Sequence, residues 1–262
     1  MINLLRAETL RLRHNPAVRL ALILTWVCAF VAAGVIWLSR QLSSGGSFSS
    51  YGTGALSEVV VGISLSVLLV SVIVAQDYEH STAKAVNLVC SAGQIVTVKA
   101  ILLVAGVGLI LLPYSVVALI GLFPFGDFLW GSPSPLMGAA LNSTIFPGGD
   151  RAARTVVVIL ATVLNIAAQV SICLPLAFWL RRTWPTLGIG IAAVFLLQVL
   201  ANSFDRVPYV GALWQMTPFS WNRWLPLPFT ETEMVASIAV SVFFMAAMVL
   251  FSYAIVRRRD LN

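Results

Sequence analysis

Charged residues are scarce in this sequence, and their scarcity excludes most water-soluble folds. Only 10% of the 262 residues are Asp, Glu, Lys or Arg, whereas 59% are hydrophobic. An ordinary soluble domain contains about 25% charged and about 45–50% apolar residues. A soluble fold of this size has too little interior to hide so much apolar surface, so the composition predicts an integral membrane protein.

Lysine and histidine are rarer still, and their positions argue against enzymatic chemistry. The only lysines, Lys84 and Lys99, do not follow the glycine pattern of a phosphate-binding loop. The only histidines, His14 and His80, lie far apart and lack the Cys/His spacing of a metal site. No serine stands in a G-x-S-x-G context, and no acidic pair lies inside an apolar run. We therefore expect a non-catalytic chain that binds no metal or cofactor.

Cysteine is also infrequent, with three residues in the chain. Cys28 and Cys173 lie within apolar runs and Cys90 lies between two of them. This distribution predicts no disulfide framework and no reactive thiol.

Long apolar runs are abundant, and they define the predicted fold. A helix needs about 20 apolar residues to cross a hydrocarbon core of about 30 Å. Six such runs predict an all-α, single transmembrane domain over residues 1–262, with spans at about 17–38, 55–75, 100–123, 155–180, 186–204 and 234–256.

The basic residues predict the orientation of these spans, because cytoplasmic segments carry the excess of Lys and Arg. With the N-terminus inside, eleven basic residues lie in inner segments and five in outer ones. Both termini are therefore expected in the cytoplasm. The net charge of +6 is dispersed over span ends and forms no basic face, so no nucleic-acid partner is expected. Contact with anionic lipid remains compatible with this pattern.

Three segments between the spans have their own patterns. Residues 1–14 place Ile2, Leu5 and Leu12 on one helical side, which indicates either an interfacial helix or a basic leader that only sets orientation. In the loop 76–99, Ser81 or Thr82 can cap a short cytoplasmic helix that stops near residue 91.

The segment 203–233 alternates aromatic residues with four prolines, which forbid one continuous helix. It is predicted to be re-entrant or to lie in the outer interface. Trp214, Trp221 and Trp224 are candidates for an outer-face gate, and the alternative is an ordinary aromatic belt that anchors the membrane boundary.

Polar residues inside the spans are few and occur as pairs at helical spacing. Asn165 and Gln169 share one helix face, and so do Gln198 and Asn202. Two interpretations stay open, namely hydrogen bonds between helices and contacts with a transported compound. No charged residue lies in the interior of any predicted span, which weakens the hypothesis of an ion-coupled carrier.

The layout as a whole resembles the permease subunit of type 2 ABC exporters, the ABC-2 family. The most specific stretch runs from Asp77 to Lys99, where that family has an acidic residue, a Gly-Thr pair, a short helix, a Pro-x-Ser-Arg-like turn and a lysine at the start of the third span. Thr82 and Lys99 match, whereas Ser81 replaces the glycine and residues 92–94 depart from the turn. Residues 257–261 resemble the end of that family's chains after the sixth span. The basic N-terminal segment is similar to that family's elbow helix.

This resemblance implies a half-transporter in the plasma membrane that exports a hydrophobic or amphipathic compound. The size of the chain is similar to permeases of peptide-antibiotic export and immunity systems, which suggests a role in antibiotic resistance. The expected partners are a second permease subunit, identical or different, and cytoplasmic ABC ATPase subunits that bind ATP and Mg. The predicted residues for ATPase coupling are Asp77, Glu79, Thr82, Lys84, Val86, Asn87 and Val89.

Each residue in that set has a simpler interpretation as part of a solvated loop. Two other classes of function also stay open, namely an ion-gradient-driven secondary transporter and a membrane-embedded sensor or scaffold. An adjacent reading frame encoding a P-loop ATPase would favour the exporter.

Overall fold

The fold is a helical bundle. The structure, a computed structural model, describes residues 2–42, 60–79, 90–122, 151–204, 207, 209–220 and 231–260, and this part of the chain contains no strand. Six helical stretches are long and apolar enough to cross a membrane: Pro16–Gly34, Gly62–Glu79, Ala92–Val116, Ile159–Leu180, Thr183–Leu200 and Val235–Arg258. The length and apolar composition of these six helices confirm the predicted number of spans, and they indicate a multi-pass membrane protein.

The helices are numbered here in chain order. They are α1 (Ile2–His14), α2 (Pro16–Leu42), α3 (Gly62–Val70), α4 (Gln76–Glu79), α5 (Ala92–Leu122), α6 (Arg151–Val170), α7 (Cys173–Leu180), α8 (Thr183–Phe204), α9 (Val210–Trp214) and α10 (Glu231–Asp260). A π-helical turn, Ser71–Ala75, joins α3 to α4, so that these three pieces form the second span.

Two spans are interrupted in ways that the apolar pattern does not predict. The π turn adds one residue to the second span, which rotates everything after it by about 100° relative to a regular helix. The fourth span breaks between α6 and α7, where Pro175 has no N–H to offer the carbonyl of Ser171. That carbonyl accepts instead from the backbone N–H of Leu174, at 3.0 Å.

The second span lies at the centre of the bundle and α5 to α8 pack around it. Two glycines permit the closest approaches. A Cβ at Gly106 would lie 2.0 Å from Leu69, and one at Gly190 would lie within 3 Å of both Val67 and Cys173. By contrast few residues of the spans in α2, α8 and α10 are buried, as expected of helices that face lipid.

One end of the bundle gathers α1, the starts of α2, α5 and α8, and the ends of α4, α7 and α10. Contacts across this end include Asn15 with Gln76, and Glu79 with Thr183. It is called the basic end here because of the described basic residues that it collects: Arg6, Arg11, Arg13, Arg19, Lys99, Arg181, Arg182, Arg257 and Arg258.

Helix α1 packs against this end through its apolar side. Leu5 and Leu12 lie against the core as the pattern predicts, together with Leu4, whereas Ile2 points outward and is 80% exposed. Thr9, which interrupts the apolar stripe, donates its hydroxyl hydrogen to the carbonyl of Leu5. Asn15 then accepts from the N–H of Ala17 and so caps α2.

Candidate functional site

Two buried polar sites stand out in the described part of the chain. The first, the basal charge cluster, consists of Glu8, Arg11, Asp77 and Lys99 at the basic end. Lys99 Nζ lies 2.5 Å from Asp77 Oδ2 and 2.9 Å from Glu8 Oε1. Arg11 pairs with the other oxygen of Asp77 and lies 3.8 Å from Glu8. The four formal charges sum to zero, so that each buried charge has a partner of opposite sign.

Helix geometry explains how the cluster forms. Glu8 and Arg11 are three residues apart and therefore lie on one face of α1. Lys99 is in the second turn of α5 and Asp77 is in α4, so the cluster connects three helices. Lys99 has a side chain only 4% exposed, which means that its ammonium is separated from water and depends on the two carboxylates.

The neighbours of Asp77 hold the rest of this end together. Gln76 accepts a hydrogen bond from Asn15 at 2.8 Å. Tyr78 stacks edge-on against Phe178 and carries the guanidinium of Arg181 over its ring, 4.7 Å from the ring centroid. Glu79 accepts from both the N–H and the hydroxyl of Thr183, each at 2.7 Å, and so caps the start of α8.

Four consecutive residues, 76–79, therefore bind four different parts of the bundle. They are also the last described residues before the connector 80–89, which leads to Cys90 and α5. The Asp77–Lys99 ion pair joins the two spans on either side of this connector. The base of the connector, residues 76–79, is thereby fixed to α1, α5 and α8.

The predicted coupling residues divide between the described end of the second span and the connector. Asp77 is buried in the basal charge cluster, whereas Glu79 is exposed and binds Thr183 at the start of α8. The remaining five, Thr82, Lys84, Val86, Asn87 and Val89, lie outside the described residues. Neither Glu8 nor Arg11 was among the predicted site residues. Their i, i+3 spacing and opposite charge, in a segment with no other acidic residue, were the available signal.

The second site, the central amide network, lies inside the bundle. Gln169 Nε2 donates to Asn165 Oδ1 at 2.9 Å and to the backbone carbonyl of Pro218 at 2.8 Å. Gln198 Nε2 donates in turn to Gln169 Oε1 at 3.0 Å. Asn165 and Gln169 are buried, and the network links α6, α8 and the segment 209–220.

Three of the four predicted pathway residues thus meet at one point. The Asn165–Gln169 bond lies within α6 and the Gln198–Gln169 bond joins α8 to α6, and the network adds a partner, Pro218, that no periodicity could identify. Asn202 lies in α8, and its side chain is outside the described set.

The segment 209–220 is held by aromatic contacts as well. Trp214 packs against Phe204 at the end of α8 and against Phe219, with ring centroids 4.9 and 6.4 Å away. Phe219 is buried and meets Phe244 of α10 edge-on. Of the three predicted gate residues, Trp214 is therefore inside this aromatic group, and Trp221 and Trp224 lie outside the described residues.

Comparison of the chain with models of protein families, with curated proteins and with solved structures finds no match. The features of the protein that indicate its function are therefore the six helices, the basal charge cluster and the central amide network.

Proposed function

We propose that the chain is the permease subunit of an ATP-driven exporter of the ABC-2 type. The observation that supports this best is the anchoring of the connector 80–89. Its base, residues 76–79, is joined to α5 by the Asp77–Lys99 ion pair, to α1 by the Asp77–Arg11 ion pair and to α8 by Glu79. A short connector with a fixed base transmits a force applied to it into several helices at once.

In this proposal the basic end faces the cytoplasm, because cytoplasmic segments carry the excess of Lys and Arg. The connector forms a coupling helix that docks on a cytoplasmic ATPase, and α1 is the elbow helix lying at the inner interface. ATP and Mg bind to the ATPase. A second permease subunit, identical or different, completes the transporter in the plasma membrane.

The transported compound is hydrophobic or amphipathic, and a peptide antibiotic is the leading candidate. The central amide network lines the pathway, and the segment 209–220, which is re-entrant from the outer face, gates release. The uncharged network and the aromatic cover over it favour such a cargo over a small ion.

The test is purification with the candidate ATPase in mild detergent, followed by measurement of ATP hydrolysis and export in proteoliposomes. We expect the two proteins to copurify and the cargo to stimulate hydrolysis. Failure of any ATPase to copurify under mild conditions, together with transport that needs no ATP, would refute the proposal.

An ion-coupled carrier is the second candidate, because the basal charge cluster places Asp77 and Lys99 inside helices of spanning length. Ionisable residues in such helices commonly serve as coupling sites. Proteoliposomes that contain the chain alone distinguish the two functions. Uptake or release that follows an imposed pH or Na⁺ gradient without ATP would favour the carrier.

A further inference from the structure

Gln169 has no spare hydrogen to offer in this structure. Its side-chain amide carries two N–H hydrogens, and they are donated to Asn165 and to the Pro218 carbonyl. A backbone carbonyl only accepts, which fixes the orientation of the Gln169 amide and makes Gln198 the donor to its oxygen. A ligand can therefore accept the N–H of Gln169 that now binds the Pro218 carbonyl only after Pro218 has moved away.

The hydrogen bond between Gln169 and the Pro218 carbonyl lies deep in the bundle. Gln169 is near the middle of the span Ile159–Leu180, about 18 Å from the basic end at the rise of an α-helix. Phe244, which contacts Phe219, is likewise well inside the span Val235–Arg258. Residues 209–220 enter the bundle from the opposite end and end with the buried Phe219 and Ser220. Pro218 thus brings a backbone carbonyl to a place where water is excluded.

We propose that Gln169 is the recognition residue of a binding site for peptide-like carbonyl groups, and that the Pro218 carbonyl occupies this site as an internal substitute for the ligand. The segment 209–220 is then a plug that competes with the ligand for the same N–H. Gln198 orients the Gln169 amide by holding its oxygen.

The chemistry of the ligand follows from the bond that it must replace. Withdrawal of Pro218 leaves a buried N–H of Gln169 without an acceptor, and an unpaired buried donor is costly. A ligand that brings an amide carbonyl removes this cost, whereas a pure hydrocarbon does not. A ligand with an amide carbonyl therefore stabilises the state in which Pro218 is withdrawn, and it shifts the plug from its closed to its open position.

Exposure of residue 220 reports the position of the plug. Ser220 is fully buried, so a cysteine placed there, with Cys28, Cys90 and Cys173 replaced by alanine, should react slowly with N-ethylmaleimide. The full chain is reconstituted in nanodiscs of ether-linked lipids, because ester lipids carry carbonyl groups of their own. The probe is N-acetyl tetraleucine amide, and dodecane is the apolar control, which has no carbonyl.

In the absence of probe, Gln169→Leu should raise the labelling rate about tenfold, equivalent to 1.4 kcal/mol. Asn165→Leu is the matched control, since it removes a partner of Gln169 but leaves the bond to Pro218, and it should change the rate by less than about threefold. Gln169→Asn keeps the amide but shortens its reach, and it should resemble Gln169→Leu. Thermal unfolding of each variant shows whether the bundle is intact.

The tetraleucine probe should accelerate labelling in the protein with Gln169 but not in Gln169→Leu, and dodecane should do so in neither. Equal effects of the two probes, or unchanged labelling in both Gln169 variants, would overturn the site. The inference relies on the proposed function only in calling the ligand a transported compound. The labelling assay contains no ATPase, so a failure of the exporter proposal and a failure of this site give different results.

Discussion

Gly190 marks a close approach of α8 to α3 and α7. A Cβ there would lie 2.8 Å from Val67 and 2.9 Å from the sulfur of Cys173, and both neighbours are completely buried. Val67 is β-branched and has few alternative rotamers, so it cannot easily make room.

We expect Gly190→Leu to separate α8 from the centre of the bundle and to destabilise the protein by about 1–3 kcal/mol or more, as overpacking does. Gly188→Leu is the matched control two residues away, where a Cβ meets nothing within 4 Å. Thermal unfolding in detergent, followed by size-exclusion chromatography, measures both. Equal losses in the two variants would contradict the close packing at Gly190.

Lys99 makes a second prediction at the residue scale. Replacement of Lys99 by methionine leaves Arg11 as the remaining cation of the basal charge cluster, so that the four side chains carry a net negative charge. Removal of one partner from a buried ion pair typically costs about 3–5 kcal/mol. Lys99→Met should therefore lower the unfolding temperature strongly.

A second substitution tests whether charge balance is the cause. Glu8→Gln in the Lys99→Met background restores a neutral cluster, and it should recover part of the lost stability. Glu8→Gln alone leaves an excess positive charge and should be destabilising. If the double variant is less stable than Lys99→Met alone, the balance of charges is not what stabilises this end.

At the scale of elements, the connector 80–89 is the part through which the proposed ATPase would act. Its apolar candidates, Val86 and Val89, are three residues apart and would share one face of a helix. Replacement of both by aspartate should leave insertion and folding intact, because both residues lie outside the predicted spans 55–75 and 100–123. It should release the ATPase or abolish export while ATP hydrolysis continues.

Pull-down of the ATPase and transport in proteoliposomes check this prediction, with folding monitored as above. Full retention of both partner binding and transport would show that the connector does not couple the two proteins. A polar substitution elsewhere at the basic end, such as Gln94→Glu on the exposed start of α5, serves as the control.

At the scale of the whole molecule, the orientation is testable independently of function. Cysteines introduced at Ser47, Gly148 and Thr230 should react with a membrane-impermeant maleimide in intact cells, since they lie in the predicted outer segments. The native Cys90 lies next to the connector and should react only after the membrane is permeabilised. Outside labelling of Cys90 would reverse the orientation and remove the proposed ATPase site.

The sequence determined the six helices, because a long apolar run in a bilayer has to satisfy its backbone hydrogen bonds internally and so becomes helical. It also determined that one end of the bundle is basic, and it placed Asn165, Gln169 and Gln198 in spans. These properties depend on residues close together along the chain, where composition and periodicity carry the information.

Only the tertiary structure decided which distant residues meet. The π turn before Asp77 sets the directions in which the following side chains of the second span point, and it leaves no mark in hydropathy. Lys99 and Glu8 are 91 positions apart, and Gln169 and Pro218 are 49 apart. Such pairs depend on how the helices pack, and the Pro218 contact uses a backbone carbonyl that every residue type possesses.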